Sequence, residues 1–284
     1  MIDDPIAIAA FAIAAMAAPL LFATLGALCS EYAGALAVFM DGAITLAGFV
    51  FIAITAATGL PAVGFVAASL VVTGLLWAVA VFTERTGANP FLTGLGVNLF
   101  AAGFTSWLSS AIFETQGAVS LTGKAAAAAL SFPRIAGFPI AVCSAIALAL
   151  FVRYAKPGVA LRIAGESPEF LAARGFSPPR VRIASWCVAA LFASCAGSLL
   201  AAGLGAWVPS LSAGRGWTAL AAVYLGFRDP IGAIAAVLLF SGADYLTTIA
   251  QGTGKIPGTV ILGFPYALSL IVFAVIPRSR RATF

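Results

Sequence analysis

Asp41, Asn98, Ser106 and Asp244 are polar or ionisable side chains set in otherwise apolar sequence. Held in hydrocarbon, such groups are costly and turn toward a bundle interior or a water-filled path, where they can contact a solute. Helix capping and interhelical hydrogen bonding compete for the same residues. That choice stays open for Asp41, which precedes Gly42, and for Glu31, Thr105 and Gln251, which share the pattern. The four candidates show no regular acidic spacing of the kind a proton relay would need.

Other chemistries are excluded more firmly. The chain has no histidine, which removes Ser-His-Asp and Cys-His catalysis, His-ligated haem and His-Glu-x-x-His zinc sites together. Gly123-Lys124-Ala125 and Gly254-Lys255-Ile256 imitate the end of a phosphate-binding loop. Neither has the following Ser/Thr or the earlier glycine, so neither cradles a nucleotide. Gly94 and Gly96 lack the third glycine and preceding strand of a dinucleotide fingerprint and read as helix-packing residues. Cys29, Cys143, Cys187 and Cys195 show no metal or redox spacing and read as small buried apolar groups.

The elements that must carry these residues follow from the charges. No charged side chain lies between Asp4 and Glu31, Asp41 and Glu84, Arg85 and Glu114, Arg182 and Arg215, or Lys255 and Arg278. Each gap can hold a spanning helix of about 20 residues, and the second can hold two. With 62% hydrophobic residues, 9% charged and a mean hydropathy of +1.08, the 284-residue chain has lipid as its solvent and no room for a separate soluble domain. The N-terminus is acidic and its apolar run long, so it reads as a retained helix and not a secretory signal.

Gly/Pro breaks place spans near 6–28, 33–57, 61–82, 91–113, 136–154, 183–206, 230–250 and 257–277, with a half-helix near 217–227. The expected fold is therefore all-α and polytopic, one permeation-type domain over 1–284 with about 8–10 membrane helices. A polar loop without a strong fold signal is expected over 114–134, with room for a short helix. If 153–182 is cytoplasmic, alternation places Arg85, Arg153, Lys156, Arg162, Arg174, Arg180, Arg182, Arg228, Arg278, Arg280 and Arg281 inside. Lys124, Arg134, Arg215 and Lys255 fall outside, so eleven of the 15 basic residues are internal. The N-terminus is then outside and the C-terminus inside.

Within 156–182, Ser167 reads as an N-cap, Pro168 as the first helical residue, Glu169 as a charge at the positive end, Arg174 at the negative end and Gly175 as terminator. A two-turn helix in this place serves either as a connector or as a docking knob for another protein.

Several pieces together resemble the permease subunits of bacterial ABC importers of the ribose, nucleoside and branched-chain amino-acid type, closest to the nucleoside and simple-sugar branch. They are Leu25 to Gly34, Met40-Asp41-Gly42, Asn89 to Leu99, Leu161 to Pro168, Ala213 to Ala222 and Gly226 to Ala233, in family order over about Pro19 to Ile276. Two pieces depart from the family. It often has Asn-Ile-Gly-x-Glu-Gly where this chain reads Val38 to Gly42, and Gly-Glu-Asn-Pro where this chain has Gly165-Glu166-Ser167-Pro168, an exchange between N-cap residues.

The resemblance implies an all-helical permease paired with an identical or homologous second permease, above two ATPase subunits and below an external solute-binding protein. It places the ATPase-coupling loop on Leu161–Gly175, with Glu166, Ser167, Pro168, Glu169, Phe170 and Arg174 as contacts. It further implies that this chain has no catalytic residues, metal or cofactor of its own, ATP and Mg²⁺ binding to the partner ATPase. The setting is a bacterial inner membrane and the solute a nucleoside or related sugar, with no nucleic-acid partner. The rival readings are a branched-chain amino-acid permease of the same type, a stand-alone secondary carrier, for which no internal repeat is evident, and an intramembrane hydrolase, for which paired catalytic aspartates are missing. The topology is checked by cysteine labelling in a cysteine-free background. Position 124 should react with an impermeant reagent from outside and position 174 only from inside, and the reverse pattern refutes the orientation.

Overall fold

A computed structural model describes residues 5–115 and 117–252, and among these stand seven helices long and apolar enough to cross a bilayer. They are α1 (Pro5–Tyr32), α2 (Met40–Thr58), α3 (Pro61–Thr86), α4 (Pro90–Phe113), α5 (Gly123–Tyr154), α8 (Pro178–Leu204) and α10 (Pro230–Gly252). Shorter helices are α6 (Lys156–Glu166), α7 (Pro168–Ala173) and α9 (Arg215–Leu225). Their boundaries follow local chemistry. Pro61, Pro90 and Pro178 open α3, α4 and α8, where the missing N–H costs nothing, and left-handed Gly59, Gly87 and Gly205 close α2, α3 and α8.

The all-α expectation holds. The described strands are a two-residue ribbon, β1 (Val119–Ser120) pairing antiparallel with β2 (Ala206–Trp207) and extended by the Leu121 N–H donating to the Gly205 carbonyl at 2.8 Å. It ties the α4–α5 connection to the end of α8. Two expectations need correction. Residues 33–39 are not the start of a span but a largely non-helical link, and the segment expected as a loop over 114–134 becomes helical from Gly123 and runs unbroken into the span. The Ala-rich run after Lys124 has high helix propensity, and an existing helix elongates without a new nucleation cost. The expected span 257–277, together with Lys255, Arg278, Arg280 and Arg281, lies outside the described residues.

The core lies where α1, α2 and α8 meet. α8 supplies small residues there, with Ala189, Ala190, Ala193 and Ala196 fully buried, so backbones approach closely, as small-residue interfaces allow in lipid. At Gly197 a Cβ would run into the Ile44 carbonyl and stand 2.8 Å from the Ala47 Cβ. The outer faces of α3 and α4 are apolar and exposed, with Leu70 and Leu99 each about 70% accessible, as befits surfaces whose solvent is lipid. Cys29 is buried but Cys143 is exposed on α5, so the buried-residue reading fits the first and not the second.

Gly197→Ala should lower the thermal stability of the detergent-solubilised protein by roughly 1–3 kcal/mol, the cost of overpacking. Gly74→Ala, with open space around its Cα, should leave it unchanged. Equal melting of the two variants would contradict the α2–α8 packing.

Candidate functional site

Two helix starts meet inside the bundle. After β2 the chain does not continue as a helix. Residues 208–214 run along α2 in a series of turns, with Ser210, Ala213 and Gly214 at positive φ. Two residues of this leg are buried: Leu211 packs on Gly48, and the Thr45 hydroxyl lies 3.1 Å from the Ser212 hydroxyl. Only then does α9 begin, with Gly216 pressed against the backbone of Asp41 at the start of α2. The expected half-helix is therefore real, and its exposed start is covered by protein, as irregular backbone at membrane depth requires.

The junction closes its own hydrogen bonds. The Gly216 N–H donates to Asp41 Oδ1 at 3.1 Å, so a carboxylate sits at the positive end of α9. On the opposite side of α2, the Gly42 N–H donates to Asn98 Oδ1 at 2.7 Å, while Asn98 Nδ2 donates to the Val38 carbonyl at 2.7 Å. A Cβ at position 42 would stand 2.7 Å from the Asn98 Cα, so glycine is what lets α4 approach. Gly94, one turn earlier, packs on Val38 and Phe39, whereas Gly96 faces open space, so the packing reading holds for the first glycine alone.

Of the sequence candidates, Asp41 and Asn98 thus come together around the N-terminus of α2, each spending its polar atoms on backbone. Ser106 lies eight residues beyond Asn98 on α4, about 12 Å along the axis. It is half-buried, beside the fully buried Thr105. Asp244 stands on α10, half-buried, and among the described residues its carboxylate has no hydrogen-bond partner. The charge acting on it is the Arg215 guanidinium, at the start of α9. Arg215 is part-buried there, its Nη1 donating to the Ser212 carbonyl at 3.3 Å.

A second cluster lies at the other end of α9. Glu31, with a side chain only 6% exposed, forms an ion pair with Arg228 and accepts a hydrogen bond from the Tyr224 hydroxyl at 2.9 Å. The Tyr32 hydroxyl donates to the Arg228 carbonyl at 2.6 Å. Phe227 and Arg228 both have positive φ, so the turn between α9 and α10 is strained and held by these contacts. Nothing in the sequence spacing announces a pair 197 residues apart. Glu31 is marked only as an acid bordering an apolar run. Arg182 with Glu84 at 3.5 Å joins the start of α8 to the end of α3 at the same end of the bundle.

The 156–182 segment folds onto this end. Gly165 fits against the Tyr32 carbonyl and the Gly34 backbone, leaving no room for a Cβ. α7 is anchored by Leu171, 2% exposed, in a small cluster with Ala160 and Ala164. That anchoring turns Phe170 outward, 49% exposed, with the Arg174 guanidinium 4.9 Å from its ring centre. Glu166 and Glu169 are exposed as well. Ser167 occupies the N-cap position and Pro168 opens the helix as expected, but the serine hydroxyl makes no cap bond; its carbonyl accepts from the Leu171 N–H at 3.2 Å. Gly175, at φ +83°, ends the element.

Comparison with known proteins gives one consistent picture. The family model described as the permease component of the branched-chain amino acid transport system matches residues 9–276. Relatives include the nucleoside ABC transporter permease protein NupC of Lactococcus lactis, 25% identical over 90% of this chain and 88% of its own. The guanosine ABC transporter permease protein NupQ of Bacillus subtilis is 25% identical over 90% and 87%. The putative glucose ABC transporter permease protein TsgC13 of Haloferax volcanii is 26% identical over 82% and 74%. No solved structure matches significantly.

The geometry separates a clamp from a free carboxylate. Asn98→Leu strands the Gly42 N–H and the Val38 carbonyl, and should lower stability by about 1–3 kcal/mol for each group left unpaired. Asp244→Asn should leave stability within about 0.5 kcal/mol of wild type. Thermal melting of the purified variants checks both, and a neutral Asn98→Leu would refute the clamp.

Proposed function

The chain belongs to the family of branched-chain amino acid transport permease components, and from that premise we propose that it is the permease of an ATP-binding-cassette importer whose solute is a nucleoside or related ribose-containing sugar. It is a multi-pass membrane protein and a transport subunit. The nucleoside reading draws on the two relatives named for nucleosides and guanosine, which align over nearly the whole chain. The basic end of the bundle is cytoplasmic in a bacterial inner membrane, following the inside bias of Arg and Lys. A second permease, two ATPase subunits carrying ATP and Mg²⁺, and an external solute-binding protein complete the assembly.

The observation that carries this proposal is the outward Phe170 on a helix fixed from behind by Leu171. A short helix with its apolar anchor buried and a second aromatic presented outward suits insertion into a cleft of another protein. Glu166, Ser167, Pro168, Glu169 and Arg174 surround Phe170 and orient the contact, since rim charges contribute more to orientation than to affinity. Movement of α7 would reach the interior by contact. Gly165 bears on the end of α1, Glu31 on α1 holds the α9–α10 turn through Arg228 and Tyr224, and α9 begins against Asp41, about 12 Å along its axis from Tyr224. Asp41, Asn98, Ser106 and Asp244 remain the proposed path region, with Asp244 facing the charge of Arg215, whose Nη1 donates to the Ser212 carbonyl at 3.3 Å. ATP-driven alternation requires the two access states to differ in their contacts with the ATPase.

Phe170→Ala removes the anchor without touching the core. It should weaken ATPase binding by about 2 kcal/mol or more, roughly thirtyfold, so that the ATPase no longer co-purifies while the permease inserts normally. Wild-type co-purification and solute-stimulated ATP hydrolysis would reduce α7 to a connector.

A further inference from the structure

A cavity of about 590 Å³ lies between α5, α6 and α8. Its volume falls in the range of small-molecule pockets. On α8 the lining runs from Arg180 through Ala184 and Val188 to Phe192, twelve residues or about 18 Å along the helix axis. α5 supplies the facing wall with Ala147 and Phe151, Cys29 of α1 forms the floor, and Leu161 of α6 with Phe176 borders the end nearest Arg180. The only charged side chain in the lining is Arg180, and it lies at the basic end of the bundle. Among the described residues its guanidinium has no ion-pair partner. Arg153 and Lys156, both exposed, follow Phe151 on the same side.

This is the outline of a single lipid chain. The depth of one leaflet's hydrocarbon is about half of 30 Å, close to the length of the furrow. The furrow is open, and Phe151 and Val188 on its rim are 42% and 39% accessible, so it communicates with the lipid-facing surface of α5 and α8. An uncharged amphiphile would leave Arg180 unmatched, and a peptide would leave its backbone polar groups unpaired against an apolar wall. Basic pockets between membrane helices on the inner side select anionic headgroups.

We propose that this furrow is a binding site for an anionic phospholipid, one acyl chain lying along α8 and its phosphate held by Arg180. The site shares no lining residue with the path region or with α7, so it does not rest on the identity of the solute. Its occupancy braces α6 against α5 and α8, which places a membrane lipid directly behind the docking segment.

Full-length permease, purified in detergent and exposed to equal amounts of phosphatidylglycerol and phosphatidylcholine, is read by native mass spectrometry for retained lipid. Wild type should keep phosphatidylglycerol in preference. Arg180→Gln should reduce that preference about fivefold, the worth of one basic side chain at an anionic lipid surface. Ala184→Trp, which fills the furrow, should abolish retention of both lipids while gel filtration shows an intact protein. Equal retention of the two lipids by wild type, the result if protein or neutral lipid fills the furrow, overturns the proposal. So does a preference that survives Arg180→Gln, which needs no change in the core and folds whether or not Ala184→Trp does.

Discussion

A backbone that stops being helical inside a bilayer must find every hydrogen bond within the protein, because hydrocarbon offers none. This chain breaks its helices twice where the breaks lie against the bundle, over 33–39 before α2 and over 208–214 before α9. The two breaks are solved together. α2 and α9 start against one another, and Asp41 and Asn98 answer the amides of Gly216 and Gly42 that a helix start leaves open. The remaining amides turn back on the chain itself: Met40 to Ala37, Ala43 to Phe39, Arg215 to Ser212, Thr218 to Gly214. Remove this mutual capping and the amides at both helix starts are left open.

The same arrangement accounts for the shape of the bundle around it. α2 is wedged between α4 on one side and α9 on the other, and glycine at 42 and 216 is what permits both approaches. α8 closes the third side with alanines and Gly197. Large apolar residues occur on both sides: Trp207, Phe39, Phe49 and Phe240 fill the interior, while Trp107, Leu99 and Leu70 cover the periphery, where lipid replaces the protein neighbour.

Both described ion pairs gather at one end of the bundle. Glu31 with Arg228 and Glu84 with Arg182 tie α1 to the α9–α10 turn and α3 to α8. Surface ion pairs contribute little to stability, but Glu31 is nearly enclosed, so its two partners matter more for fixing geometry than for net energy. The turn they hold contains two residues of left-handed backbone that would otherwise relax. Any link from the 156–175 segment to the bundle interior therefore depends on contacts among side chains and glycines widely separated in the chain.

Hydrophobic run length alone determined that the protein is all-α and crosses the membrane many times, since a bilayer demands about 20 apolar residues per crossing and each charge-free gap supplies them. Proline and glycine placed most helix ends to within a few residues, and they located the short helix at Pro168 and the half-helix ending at Gly226, because these residues act through local backbone geometry. Motif order carried the family resemblance, which the match over residues 9–276 bears out. The partners of the polar residues were not legible. Asp41 and Asn98 could be picked out as polar in apolar surroundings, but whether each met water, solute or backbone depended on segments 56 to 175 residues away. Counting spans could not detect the non-helical leg over 208–214 that runs along α2. Glu31 finds Arg228 only when α1 and the α9–α10 turn reach the same end. Local sequence fixes secondary structure through short-range sterics and solvent preference; which buried donor meets which acceptor is settled only when distant helices pack.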